Sequence, residues 1–143
     1  FDILHAGHVM YLEKAKSKVD FLILALNSDS SVKTLKGPLR PIINEQDRAR
    51  VLSALESVDA VITFNESTPL KLIKKIKPDL LIKGSDYKIN QVVGSKEIKA
   101  WGGKVELVPL LTLDTHHACC EYILHHTLRF FFTRGLTLEM VKC

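Results

Sequence analysis

The sequence predicts an α/β domain built on a doubly wound parallel sheet. Two observations carry that prediction. Stretches with apolar residues at helical spacing alternate with short, continuous apolar runs of the kind that form strands buried on both faces. The links between them are short, as right-handed crossovers over a parallel sheet require. A length of 143 residues suits one core. With 46% hydrophobic and 25% charged residues, disordered and fibrous classes are excluded. The longest apolar runs, Phe21–Leu26 and Phe130–Phe132, fall far short of the roughly 20 residues that span a bilayer as a helix.

Taken in order, His8 to Lys18 places Val9, Leu12 and Ala15 on one helical face, with Tyr11 flanking it and Lys14, Lys16 and Lys18 outside. Phe21 to Leu26, bounded by Asp20 and Asn27, reads as a central parallel strand. Ser28 to Asn44 is polar and carries Gly37, Pro38 and Pro41, so it is expected to be a long loop with a functional role. Asn44 has the chemistry of an N-cap, Asp47 adds an acid to the first turn, and Ala49, Val51, Leu52 and Leu55 follow at helical spacing. Val58 to Phe64 is strand-like. Ser67 or Thr68 followed by Pro69 opens a helix through Ile76, and Pro78 ends it. Asp79 to Lys83 is a further buried strand, Gly84 to Val93 a loop, Ser95 to Trp101 a short helix, and Lys104 to Leu110 the last clear strand. The pattern opens on a helix, so the strand that normally precedes it is expected to be missing.

Twenty Lys and Arg against 16 Asp and Glu give a net charge of +4, too modest and scattered for a non-specific duplex-binding surface. A small anionic ligand fits better. All three cysteines and four of the six histidines fall after Leu111. An adjacent pair with one odd cysteine suggests no disulfide scaffold, and a reducing cytoplasm is the expectation. Phe1 opens the chain without a basic leader and apolar core, so secretion is not expected.

Phe1-Asp-Ile-Leu-His-Ala-Gly-His8 is the most informative stretch. Ligands of such sheets collect at the carboxyl ends of the strands, where helix N-termini offer free N–H groups and partial positive charge to phosphate. His5 and His8 fall at such a helix start, and Gly7 between them lets a phosphate approach the backbone. Histidines there also cap or pack. From spacing alone the two readings stand even, and a pair at i, i+3 without a nearby third ligand is weak for zinc.

This stretch, with Tyr11-Leu12 and Ala15-Lys16, resembles the opening of the cytidylyltransferase-like nucleotidyltransferases, whose hallmark is His-x-Gly-His. Asn27-Ser28-Asp29, Leu35-Lys36-Gly37, Arg40-Pro41, Asp47-Arg48, Lys83-Gly84-Ser85-Asp86-Tyr87 and Gly94-Ser95-Lys96-Glu97 narrow the likeness to adenylyltransferases of D-glycero-β-D-manno-heptose 1-phosphate, free-standing or fused to a heptose kinase. The resemblance spans Phe1 to about Leu110. It implies a Rossmann-like fold and transfer of AMP from ATP, with Mg²⁺, to heptose 1-phosphate, giving ADP-heptose for lipopolysaccharide core. The family often forms homodimers, and nothing in this sequence fixes the oligomeric state.

The resemblance also distributes roles. His5, His8 and Lys36 would act on the reacting phosphates. Phe1, Asp2, Gly7, Arg48 and Gly84 would line the nucleotide, and Arg40, Lys83 and Asp86 the acceptor. The residues themselves leave alternatives: Arg48 reaches nucleotide phosphate or pairs with Asp47 or Glu45; Asp2 meets metal or nucleotide or ties down the loop leading to the histidines. Asp86 orients a histidine, holds Mg²⁺ or accepts from sugar hydroxyls. Lys83 and Gly84 serve the site or only a turn. Rival functions are a cytidylyltransferase of another phosphorylated acceptor and a nucleotide-binding fragment without catalysis.

The likeness stops at about Leu111. A Gly-x-Ser-Thr-Thr-like turn is expected next, and Leu111-Thr-Leu-Asp-Thr-His-His-Ala-Cys-Cys120 stands in its place. Residues 1–111 are therefore read as the nucleotidyltransferase domain and 112–143 as an atypical tail, translated out of frame. Leu113-Asp114-Thr115, if encoded TTG-GAT-ACT, reads Gly-Tyr-Ser two nucleotides later; a gene without that frame would end the idea. The bland alternative is a lineage-specific helix with Cys120 to Phe132 facing the core. His116, His117, His125 and His126 match no metal spacing of the family.

Overall fold

The computed structural model describes residues 1–84, 88–109 and, as backbone, 136–140. The helices are α1 (Ala6–Lys16), α2 (Asp29–Lys36), α3 (Glu45–Ser53), α4 (Leu70–Ile76) and α5 (Ser95–Ala100). The strands are β1 (Phe21–Asn27), β2 (Ala60–Phe64), β3 (Leu80–Gly84), β4 (Lys104–Val108) and β5 (Leu136–Met140). They form one sheet in the order β2-β1-β5-β3-β4, with every neighbouring pair parallel.

Burial follows that order. β1, an inner strand, is buried from Leu22 to Asn27, as its unbroken apolar run predicts. The edge strands β2 and β4 keep partly exposed residues. Alternate β1 side chains enter opposite cores. Leu22, Leu24 and Leu26 pack with Phe1, Tyr11, Leu12 and Ala15 and with Leu52 of α3, whereas Ile23 and Ala25 pack with Ile73 of α4 and Ile98 of α5. Helices thus cover both faces, which makes the fold doubly wound.

Four local expectations change. The stretch Ser28 to Asn44 is not all loop: Ser28 accepts a hydrogen bond from the Ser31 N–H and caps α2. Its low apolar content hid a helix that buries only Ser31 and Val32. In α1, Tyr11 rather than Val9 joins Leu12 and Ala15 in the core, so the face packed on β1 is the one carrying Gly7, Tyr11, Leu12 and Ala15. A 3-10 turn, Ile89–Gln91, interrupts the loop expected after Gly84.

The fourth change concerns the centre of the sheet. Lys104–Val108 is not the last strand: β5 lies between β1 and β3, with Ile23 opposite Leu138 and Leu81 opposite the same residue. The centre of the sheet, between β1 and β3, is therefore held by a segment from beyond residue 111. The expected reading-frame change, the four clustered histidines and the Cys120 to Phe132 stretch lie outside the described residues.

Candidate active site

All strands run parallel, so their carboxyl ends share one edge. At the opposite edge, Lys16 near the end of α1 donates to the carboxylate of Asp59, just before β2, and to the Asp20 carbonyl, just before β1. The amino end of α1 must then lie at the carboxyl edge, where α/β sheets bind ligands.

His5 is the N-cap of that helix. Its extended backbone (φ −142°, ψ 169°) lets Nδ1 accept from the Gly7 N–H at 3.2 Å. With Nδ1 used as an acceptor, the neutral ring carries its proton on Nε2, and the ring is exposed. One turn on, the His8 ring lies 3.9 Å from that of His5, centroid to centroid, with Phe1 packed on it at 4.8 Å. The two imidazoles therefore form a pair at a helix start, His5 facing solvent and His8 half-buried behind it.

Burial first, and the neighbouring His5, push the His8 pKa down to about 4. His8 is therefore neutral at pH 7. Its Nδ1 is buried without a partner, so Nε2 is the nitrogen left to meet a ligand. A neutral His8 can donate to an anion without adding a second positive charge 3.9 Å from the His5 ring.

Arg48 is buried, not on the surface. Its Nε donates to the Ile43 carbonyl, and one Nη2 donates to the Asn27 carbonyl and, at 2.7 Å, to Asp29. The pairing expected with Asp47 or Glu45 is corrected. Asp47 accepts from the Asn44 side chain and Glu45 from the Asp29 N–H, while the inward face of α3 turns Arg48 toward the carboxyl end of β1. Nη1 of Arg48 is buried without a partner.

Asp2 ties down a loop, but a different one from the loop expected. One carboxylate oxygen accepts from Arg40 at 2.7 Å and the other from the N–H groups of Ile42 (2.7 Å) and Ile43 (3.1 Å). Burial opposes the Asp2 charge, yet the bonds from Arg40, Ile43 and Ile42 and the Arg40 charge prevail and hold its pKa below the usual carboxylate range.

Lys36 is the exposed last residue of α2. Gly37, with φ +94°, turns the chain from Lys36 towards Arg40, whose N–H donates to the Gly37 carbonyl. Gly7 is buried in the first turn of α1. Lys83 is buried next to Gly84, the last residue of β3, and so both reach the carboxyl edge. Asp86 lies outside the described residues. Mg²⁺ finds no group of three His, Cys, Asp or Glu among the described residues, and Asp2 already accepts three hydrogen bonds. These residues do not fit a protein-held magnesium, and no protein ligand is assigned to it.

Sequence reasoning missed the partner of Arg48. The signal was present in Asp29, an acid two residues beyond a buried strand, but spacing alone does not reveal which helix faces it.

The fold and the site define a doubly wound α/β protein with a paired-histidine helix start at the carboxyl edge of its sheet. The sequence profile described as cytidylyltransferase-like matches residues 1–127, and the chain belongs to that family. The chain is 63% identical over 111 residues to the bifunctional protein HldE of Methylobacillus flagellatus and 57% identical over 111 residues to that of Magnetococcus marinus. In both cases the match covers 78% of this chain and 23% of the relative, so the chain spans about a quarter of the length of these curated relatives. Among solved structures, the lipopolysaccharide core biosynthesis protein of Thermoplasma volcanium superposes with a TM-score of 0.63 at 32% identity, covering 80% of this chain and 92% of that one. No described helix is long and apolar enough to cross a membrane.

Proposed function

We propose that this chain carries a nucleotidyltransferase site that moves AMP from ATP to D-glycero-β-D-manno-heptose 1-phosphate, with residues 1–111 as the catalytic part. The His5–His8 pair at the start of α1 is the observation that carries the chemistry. Likeness to the HldE proteins supports the choice of acceptor and a fused or separate heptose kinase as partner. Likeness to the lipopolysaccharide core biosynthesis protein of Thermoplasma volcanium supports a place in lipopolysaccharide core synthesis.

In this reading an oxygen of the sugar 1-phosphate attacks the α-phosphorus of ATP. The new P–O bond joins AMP to the sugar phosphate, the α–β bridge breaks, and pyrophosphate leaves with the electron pair. Both reactants are anions, so the protein's work is alignment and neutralisation of charge on the phosphoryl oxygens. The Nε2 groups of His5 and His8 donate there, at the positive end of α1. Lys36 brings a mobile point charge from the end of α2, and Arg40 and Lys83 meet the acceptor. Arg48 holds the floor of the site through Asn27 and Ile43.

The test is pyrophosphate release with ATP or CTP against heptose 1-phosphate and other phosphorylated acceptors. Release with ATP and heptose 1-phosphate is expected; turnover with CTP alone overturns the reading. ATP binding with no release under any pairing favours a non-catalytic module.

A further inference from the structure

The segment carrying the histidines and the loop carrying Arg40 are far apart in sequence, yet Asp2 joins them. It stands three residues before His5, its side chain is only 12% exposed, and it accepts hydrogen bonds from Arg40, Ile42 and Ile43. The loop is gripped from its other side as well, since Arg48 donates to the Ile43 carbonyl and to the Asn27 carbonyl at the end of β1. Residue 43 is thus held at both its N–H and its C=O. Arg40, by contrast, is 45% exposed and spends one terminal nitrogen on Asp2. A guanidinium has five N–H groups in a planar fork, so a fixed Arg40 still has donors to offer a phosphate.

We propose that Asp2 is a positioning residue: it locks residues 40–43 against the histidine segment and so aims Arg40 at the phosphate of the acceptor. This rests on the reading of Arg40 as an acceptor contact. A direct role for Asp2 on nucleotide or metal has little room, because both carboxylate oxygens are occupied by protein donors. The energetic logic is that of preorganisation. An arginine already held in place loses less freedom on binding an anion than one free to swing.

Asp2→Asn keeps an oxygen for the two backbone N–H groups and removes the charge-assisted bond to Arg40. Calorimetry on the full chain should show affinity for heptose 1-phosphate falling about tenfold, while affinity for ATP changes less than twofold. Arg40→Gln, an exposed change that leaves the fold alone, should weaken the sugar phosphate by a similar or larger factor, and the double variant should be no weaker than Arg40→Gln. Hydrogen exchange at the Ile42 and Ile43 amides should speed up in Asp2→Ala and much less in Asp2→Asn. An Asp2→Asn chain that binds the sugar phosphate as well as the parent, or loses ATP affinity by the same factor, overturns the role of Asp2 alone. A parent chain that binds ATP but no heptose 1-phosphate overturns the acceptor reading beneath it.

Discussion

His8 is held where solvation and charge both disfavour its protonated form, and this has consequences away from catalysis. Its folded pKa of about 4 lies below the ordinary 6.5, so the unfolded chain binds more protons between those values. Stability from this group is fully present above pH 6.5 and is lost as pH falls toward 4. Allowing for solvent screening of a half-buried ring, the loss is on the order of 1 kcal/mol. Urea denaturation at pH 7 and pH 5 should show it, and His8→Gln should flatten that dependence. For catalysis, replacing either His5 or His8 by alanine should lower kcat by about 10²–10³, the cost of one donor to a charged transition state; a fall under threefold in pyrophosphate release would remove that histidine from the reaction. The place of the pair at a helix start was legible in the sequence, whereas its use on phosphate stood even with capping from spacing alone and rested on the family resemblance. Arg48 was not legible, because its fate depends on Asn27 and Asp29, which reach it only through the packing of α3 on β1.

At the scale of elements, caps and apolar runs were readable and weakly amphipathic pieces were not. Asn44 caps α3 as its chemistry predicts, accepting from the Asp47 N–H at 2.9 Å. Asn44→Ala should cost about 1 kcal/mol and loosen the end of the 40–43 loop, which thermal melts and amide exchange would register. Strand β1 announced itself by an unbroken apolar run, whereas α2 did not, because it exposes most of its length and its cap is a serine in a serine-rich stretch. Arg48 is an anchor for that region. Arg48→Met should destabilise by about 3–5 kcal/mol, since it strips the partner from Asp29 and from two carbonyls. Unchanged melting would mean that these bonds contribute nothing to the fold.

Across the whole molecule, the sequence did not reveal which segment occupies the centre of the sheet. The observed order places β5 there, between β1 and β3. Leu136-Thr-Leu-Glu-Met140 alternates apolar and polar residues, a pattern of half-exposed strands, so nothing in its periodicity marks it for a central position. Without it, β1 and β3 would each present an unpaired edge inside the sheet. A chain ending at Pro109 should therefore melt well below the parent and associate on size-exclusion chromatography; equal melting and a monomer would show that β5 is dispensable. The histidine pair depends on that sheet, since it places the start of α1 at the carboxyl edge. The most direct test of the phosphate-binding claim follows the imidazole ring protons of His5 and His8 by NMR across pH, with and without ATP. Bound phosphate should raise the His8 midpoint from about 4 and shift the His5 resonances; ATP that binds while both rings keep their free-state titrations would contradict it.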